Sequence, residues 1–206
     1  MLFDYKLSIP LERLLMMAVE GIEKNQLLKQ DKRGLLDELR SFFRLRLKTL
    51  LQEKGIRYDV IDAVLAGDIS VVSTVFAKAE LLMNKQTDPT FKPAVEALSR
   101  VTNIAVHQDQ QATLDPALFE KEQEERLYSI YGQVKEEVPN ALAKGEVDEA
   151  FQMLSGLAPA IDQYFDHIMV MTEDETMKTN RLAQMGALAE LIHSFADFQK
   201  LVFSSN

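Results

Sequence analysis

Apolar residues recur at three- and four-residue spacing along nearly the whole chain, the pattern of helices that each bury one face. A first helix is predicted from near Ser8, with Pro10 in its opening turn, where a missing N–H costs little. Its stripe is Leu11, Leu14, Leu15, Ala18 and Ile22. A long helix follows from Asp31 to Lys54, with Leu36, Leu39, Phe43, Leu47 and Leu50 on one face and Gly55 placed to end it in a left-handed turn. A short helix over Tyr58–Ala66 stops at Gly67, and Asp68 is placed to cap the next, which carries Val71, Val72, Val75, Ala79 and Leu82. Asp88-Pro89 opens another through Phe91, Val95, Leu98, Val101 and Ile104. The polar stretch 107–115 reads as a linker. Asp115-Pro116 then starts a helix through Leu118, Leu127, Ile130, Tyr131 and Val134. Pro139 and Pro159 should each kink or break a helix. A final helix is expected from Glu173 to Val202, with Leu182, Met185, Leu188, Ile192 and Phe195 inward. No alternating strand pattern occurs, so the fold class is all-α.

Composition narrows the setting. A chain of 206 residues, 47% hydrophobic and 27% charged, is long enough for one large domain or two small ones around a sizeable core. The absence of cysteine excludes disulfides, a thiol nucleophile and Cys-ligated zinc. Apolar runs are only a few residues long, far short of the roughly 20 that span a bilayer. Met1-Leu2-Phe3-Asp4-Tyr5-Lys6 lacks the basic region and apolar stretch of a secretory signal. A cytoplasmic protein without a membrane partner is expected.

The formal charge of −9 excludes a uniformly basic coat but hides two opposed regions. Between Arg40 and Arg57 six bases face one acid, whereas between Asp115 and Glu149 ten acids face four bases. Arg40, Arg44 and Lys48 are four apart, so they share one helical ridge that could neutralise phosphates. A solvated helix face is the plainer alternative. Arg46 turns toward the apolar face, where a structural pair with Asp59 or Asp62 is expected.

Catalytic patterns are absent. There is no Gly-rich phosphate loop, no Gly-x-Ser-x-Gly elbow and no His-x-x-x-His. Adjacent acids such as Glu124-Glu125 and Glu136-Glu137 splay about 100° apart on a helix and do not converge. His193 reads as a core histidine and His107 as surface. No catalytic residue, metal site or cofactor is expected.

The run Phe42-Phe43-Arg44-Leu45-Arg46-Leu47-Lys48, then Leu50-Leu51, then Gly55 through Leu65, resembles the start of the anticodon-binding domain in the bacterial glycyl-tRNA synthetase beta-subunit family. The resemblance continues at Arg100-Val101-Thr102-Asn103-Ile104 and is strongest at Tyr164 through Met171, followed by Asn180-Arg181-Leu182-Ala183 and Ala196 through Leu201. The Val-Met, spacer, Arg-Leu pattern also resembles the helical DALR anticodon-binding domain of arginyl-tRNA synthetases. The matches run in order from about residue 35. The chain is then either an excised C-terminal fragment of a longer subunit, which its abrupt start favours, or a free-standing descendant. Residues 1–30 would be a lead-in helix and 31–206 the helical bundle that binds the anticodon.

The resemblance implies an accessory module that binds the anticodon stem-loop of glycine tRNA. Its partners would be the rest of the beta subunit and an alpha subunit carrying the site for glycine and ATP. Reading splayed bases needs a basic groove with aromatic or Arg planes. The residues on offer are Arg40, Arg44, Lys48, Arg57 and Tyr58 in one region, and Arg100, Asn103, Lys178, Asn180 and Arg181 in another. Phe42, off the main apolar face, is available for stacking. Phe165, Val170, Met171, Leu182 and Leu188 also match the family, although such apolar matches chiefly report packing. Glycine anticodons are rich in cytosine, whose N4 amino group needs an acceptor. Glu173, Asp174 and Glu175 could supply one, or could merely favour the N-terminus of the last helix. The rival function is a protein-interaction module docking a basic partner through the acidic 115–149 region, with Glu122, Glu124 and Glu125 at its centre.

Overall fold

The computed structural model describes residues 10–25, 31–108 and 112–203. Among them the protein is all-α. Ten helices follow in order: α1 Leu11–Lys24, α2 Lys32–Glu53, α3 Tyr58–Ala66, α4 Val72–Lys85, α5 Phe91–Ala105, α6 Glu122–Val134, α7 Glu137–Lys144, α8 Val147–Ser155, α9 Ala158–His167 and α10 Glu175–Phe195. Two short 3-10 turns, Pro116–Leu118 and Phe198–Lys200, complete it.

Helix α10 is the axis. It packs most extensively along α5 and also meets α7 and α8. Leu182, Met185, Leu188, Ile192 and Phe195 all face inward as their spacing predicts, but burial extends round the helix to Asn180, Arg181, Gln184 and Gly186. The α5 end comes so close that a Cβ on Gly186 would overlap the Gln108 carboxamide. Phe91, Phe151, Phe195 and Phe198 link α5, α8, α10 and the C-terminal turn, with successive ring centroids 5.7, 5.8 and 5.9 Å apart.

Several boundaries differ from the periodicity. The final helix ends at Phe195, not Val202, because the chain breaks at Ala196 and Asp197 caps a 3-10 turn through the Gln199 N–H. The helix expected from Asp115 is interrupted: Asp115 caps Pro116–Leu118, and α6 begins at Glu122. Pro139 and Pro159 lie in the first turns of α7 and α9, where no intrahelical N–H is required. Asp68 accepts from the Ser70 N–H and builds a turn, leaving α4 without a side-chain cap. In α1, Leu11, Leu15 and Val19 are buried while Leu14 and Ile22 are exposed. Ser8 lies outside the described residues. The termination at Gly67 and the left-handed Gly55 agree with expectation.

Two polar anchors hold the end of α10. Lys78 on α4 is buried and donates to the Ser194 carbonyl at 2.8 Å, satisfying an acceptor that the helix end leaves open. The Asp197 N–H donates to the Ala63 carbonyl at 2.9 Å. The C-terminal segment is thereby laid between α3 and α5.

Candidate nucleic-acid interface

The basic ridge on α2 exists, but acids flank it. Arg40 is held by Glu12 at 2.6 Å and by Asp37 at 2.8 Å, and Lys48 by Asp62 at 2.9 Å. Arg44, between them, is exposed. Beside the ridge an open groove of about 620 Å³ runs between α2 and α3, lined by Arg44, Lys48, Tyr58, Asp62 and Lys200. Tyr58 is 66% exposed at the first position of α3. Three cations and an open ring thus share one groove with two carboxylates, partly exposed Asp62 and buried Asp59, and Lys200 also pairs with Asp197 at 3.6 Å.

Arg57 and Asp59 are occupied differently from expectation. Asp59, only 1% exposed, pairs with Arg57, whose Nε and Nη2 donate at 3.0 and 2.6 Å. Arg46 points to solvent, so the expected Arg46–Asp59 pair is corrected to Arg57–Asp59. The reason is local. Asp59 sits in the first turn of α3 with Arg57 as the residue before that helix, whereas Arg46 faces outward one turn before the buried end of α2. The pair clamps the C-terminal segment, with Asp59 accepting the Val202 N–H at 2.9 Å and Arg57 donating to the Val202 carbonyl at 2.8 Å. Arg57 also donates to Gln86. Burial opposes ionisation of Asp59, but the bonds from Val202 and Arg57 outweigh it and hold its carboxyl below the usual range.

Across that segment lies a second groove of about 460 Å³, lined by Arg100, Asn103, Phe198 and Gln199 among others. Arg100 and Asn103 are exposed one turn apart on α5. The Arg100 guanidinium lies 4.3 Å from the centre of the Phe165 ring.

The other predicted contacts turn inward. Asn180, 3% exposed, brackets Asp115, accepting its N–H at 2.7 Å and donating to its carbonyl at 3.0 Å. Arg181, 6% exposed, donates to Glu124 at 2.9 Å, to the Met169 carbonyl at 3.2 Å and to Glu120 at 3.3 Å. Both are corrected from RNA contacts to internal fasteners, because α10 is buried all round at their level. Lys178 pairs with Glu175 at 3.1 Å and lines neither groove. Asp174 caps α10 by accepting from Thr176 and Met177, so the helix-start explanation accounts for it. Of the acids named for the docking face, Glu124 is buried while Glu122 and Glu125 are exposed. His193 is exposed rather than core, and Phe42 is 61% exposed as expected. Val170, Leu182 and Leu188 are core, whereas Met171 is exposed.

Lys200, Gln199 and the Phe165 platform were not read as site residues. The signal for the first two was Asp197, a side chain that caps a turn, in place of a further helical turn.

An all-α bundle with two grooves, one cationic and one carrying an Arg plane, is an architecture suited to single-stranded nucleic acid. Residues 94–198 match the DALR anticodon binding domain, and the chain belongs to that family. It is similar over nearly its whole length to glycine–tRNA ligase beta subunits. Identity is 46% over 202 residues with that of Halalkalibacterium halodurans, covering 98% of this chain and 29% of the relative. It is 39% over 204 residues with that of Shouchella clausii (99% and 29%), and 38% over 182 residues with that of Bacillus subtilis (88% and 27%). The chain spans less than a third of the length of these curated relatives.

Proposed function

We propose that this chain is the anticodon-binding domain of a glycine–tRNA ligase beta subunit and grips the anticodon stem-loop of glycine tRNA. The observation that carries the reading is the α2–α3 groove, where Arg44, Lys48 and Lys200 converge beside exposed Tyr58 in a member of an anticodon-binding family. The cations hold the backbone by displacing counterions, and Tyr58 offers a face on which a splayed base can stack. Arg40 stands at the end of the same ridge, restrained by Glu12.

The domain takes no part in bond making. It positions tRNA for a glycine and ATP site carried by the alpha subunit, in the cytoplasm, with the rest of the beta subunit as its other partner. No described helix is long and apolar enough to cross a membrane. Residues 1–30 serve as lead-in and 31–206 as the binding domain. In support, α1 packs chiefly on α2 and leaves Met16 and Met17 exposed.

The test is a titration of the chain with glycine tRNA at low and moderate salt, beside the same tRNA with a changed anticodon. Binding that weakens with the changed anticodon is expected. Reversing Arg44 and Lys48 to Glu is expected to weaken binding and flatten its salt dependence. No binding at low salt overturns the reading.

A further inference from the structure

We propose that the groove between α5 and the C-terminal segment is a base pocket selecting a nucleobase that presents an amino group where cytosine carries N4 and adenine N6, which in a glycine anticodon is cytosine. The proposal rests on the anticodon reading above and assigns the chemistry of one recognition step within it.

The pocket has a platform. Arg100 is exposed, yet its guanidinium lies 4.3 Å from the centre of the Phe165 ring. This cation–π contact restrains the guanidinium from outside the groove, while Arg100 itself lines the groove and offers its plane there to a second π system. A base stacked there meets a plane already ordered, so little further side-chain freedom is lost. Phe198, Leu201 and Val95 provide apolar lining beside it.

The pocket also has an oriented acceptor. The Thr102 hydroxyl has one proton, and it donates that proton to the Ser99 carbonyl at 3.0 Å. Toward Gln199, at 2.8 Å, the same oxygen can therefore only accept. This fixes which end of the Gln199 carboxamide faces Thr102: it is Nε2. The carbonyl Oε1 is left as the end that a ligand in the groove meets. A carbonyl acceptor pairs with the N4 amino group of cytosine or the N6 amino group of adenine, and repels the O4 of uracil and the O6 of guanine. Asn103, one turn beyond Arg100, offers an amide for another edge of the base. Glu96 at the rim sits 3.9 Å from Lys92, which partly offsets its repulsion of RNA phosphates.

The experiment compares the chain and three variants for binding to an anticodon stem-loop RNA of glycine tRNA and to versions carrying single cytosine-to-uracil changes. The parent chain is expected to prefer one cytosine over uracil by roughly tenfold, within the range for one well-placed base contact. Gln199→Leu should reduce that preference to near unity. Gln199→Glu, which keeps an acceptor and lets the Thr102 hydroxyl turn, should retain it. Arg100→Lys keeps the charge but loses the plane, and should weaken binding of cytosine and uracil RNAs alike, by roughly tenfold, with the salt slope unchanged. Circular dichroism checks that each variant is folded. Retained preference in Gln199→Leu, or full affinity in Arg100→Lys, overturns the pocket. Equal binding of every base change by the parent chain also overturns it, while leaving the backbone grip of the α2–α3 groove standing. Absence of any RNA binding at low salt instead removes the anticodon reading itself, and the pocket with it.

Discussion

Nε of Arg181 donates to Oε1 of Glu124 at 2.9 Å across 57 positions of sequence, with both side chains shut away from water. The second oxygen of Glu124 accepts the N–H groups of Glu120 and Lys121, each at 3.0 Å. One carboxylate thus closes the start of α6 and balances a cation on α10. Breaking such a pair leaves a buried charge without its counterpart. Glu124→Ala and Arg181→Ala are each expected to cost about 3–5 kcal/mol, read as a lower urea midpoint. RNA affinity per folded molecule should be unchanged.

Acid should loosen the C-terminal clamp. Asp59 has a lowered pKa in the folded chain, so its contribution to stability is complete above the unfolded value of about 3.9. It is lost as pH falls through the folded value. Urea midpoints of the parent and Asp59→Asn are therefore expected to differ at pH 7 and to converge as the pH falls through the lowered folded value. A constant difference at all pH values would contradict this.

Gly67 and Gly145 end helices for different reasons, and one substitution separates them. Gly145 has φ 81° with open space around it, so Gly145→Asn should be mild, since Asn tolerates the left-handed region. Gly67 has an ordinary φ of −80°, but a Cβ there would stand 2.9 Å from the His193 and Phe195 carbonyls. Gly67→Asn should cost about 1–3 kcal/mol through overpacking. Thermal unfolding of both variants checks the order.

Relieving Lys48 should tighten RNA binding. Asp62 holds its ammonium at 2.9 Å inside the α2–α3 groove, and both side chains are more than a third exposed. Such a pair adds little stability. Asp62→Asn is expected to leave the unfolding midpoint nearly unchanged while raising tRNA affinity at low salt. Lys48→Gln should do the reverse and lower the salt slope by about one.

Helix identity was legible because it depends on neighbours three and four residues away. Tyr58–Ala66 with its stop at Gly67, the α2 span with Gly55 beyond it, and the inward row from Leu182 to Phe195 all follow from local spacing. Partners across the fold were not. Asn180-Arg181 has the look of a polar recognition pair, and only the burial of α10 on every side turns it to Asp115 and Glu124. Arg46 and Arg57 are equally basic in sequence, but only Arg57 stands beside Asp59 and the returning Val202 backbone.

By itself the sequence determined the helical class, the spans of α2 and α3, the uneven charge and the kinship with anticodon-binding domains. These are carried by side-chain type and by short-range periodicity. The tertiary structure alone decided which charged groups face solvent. Arg44, Lys200 and Arg100 face outward while Arg181 and Glu124 face inward, because burial depends on what packs from distant segments. A charge enters the interior only where such a segment delivers its counterion.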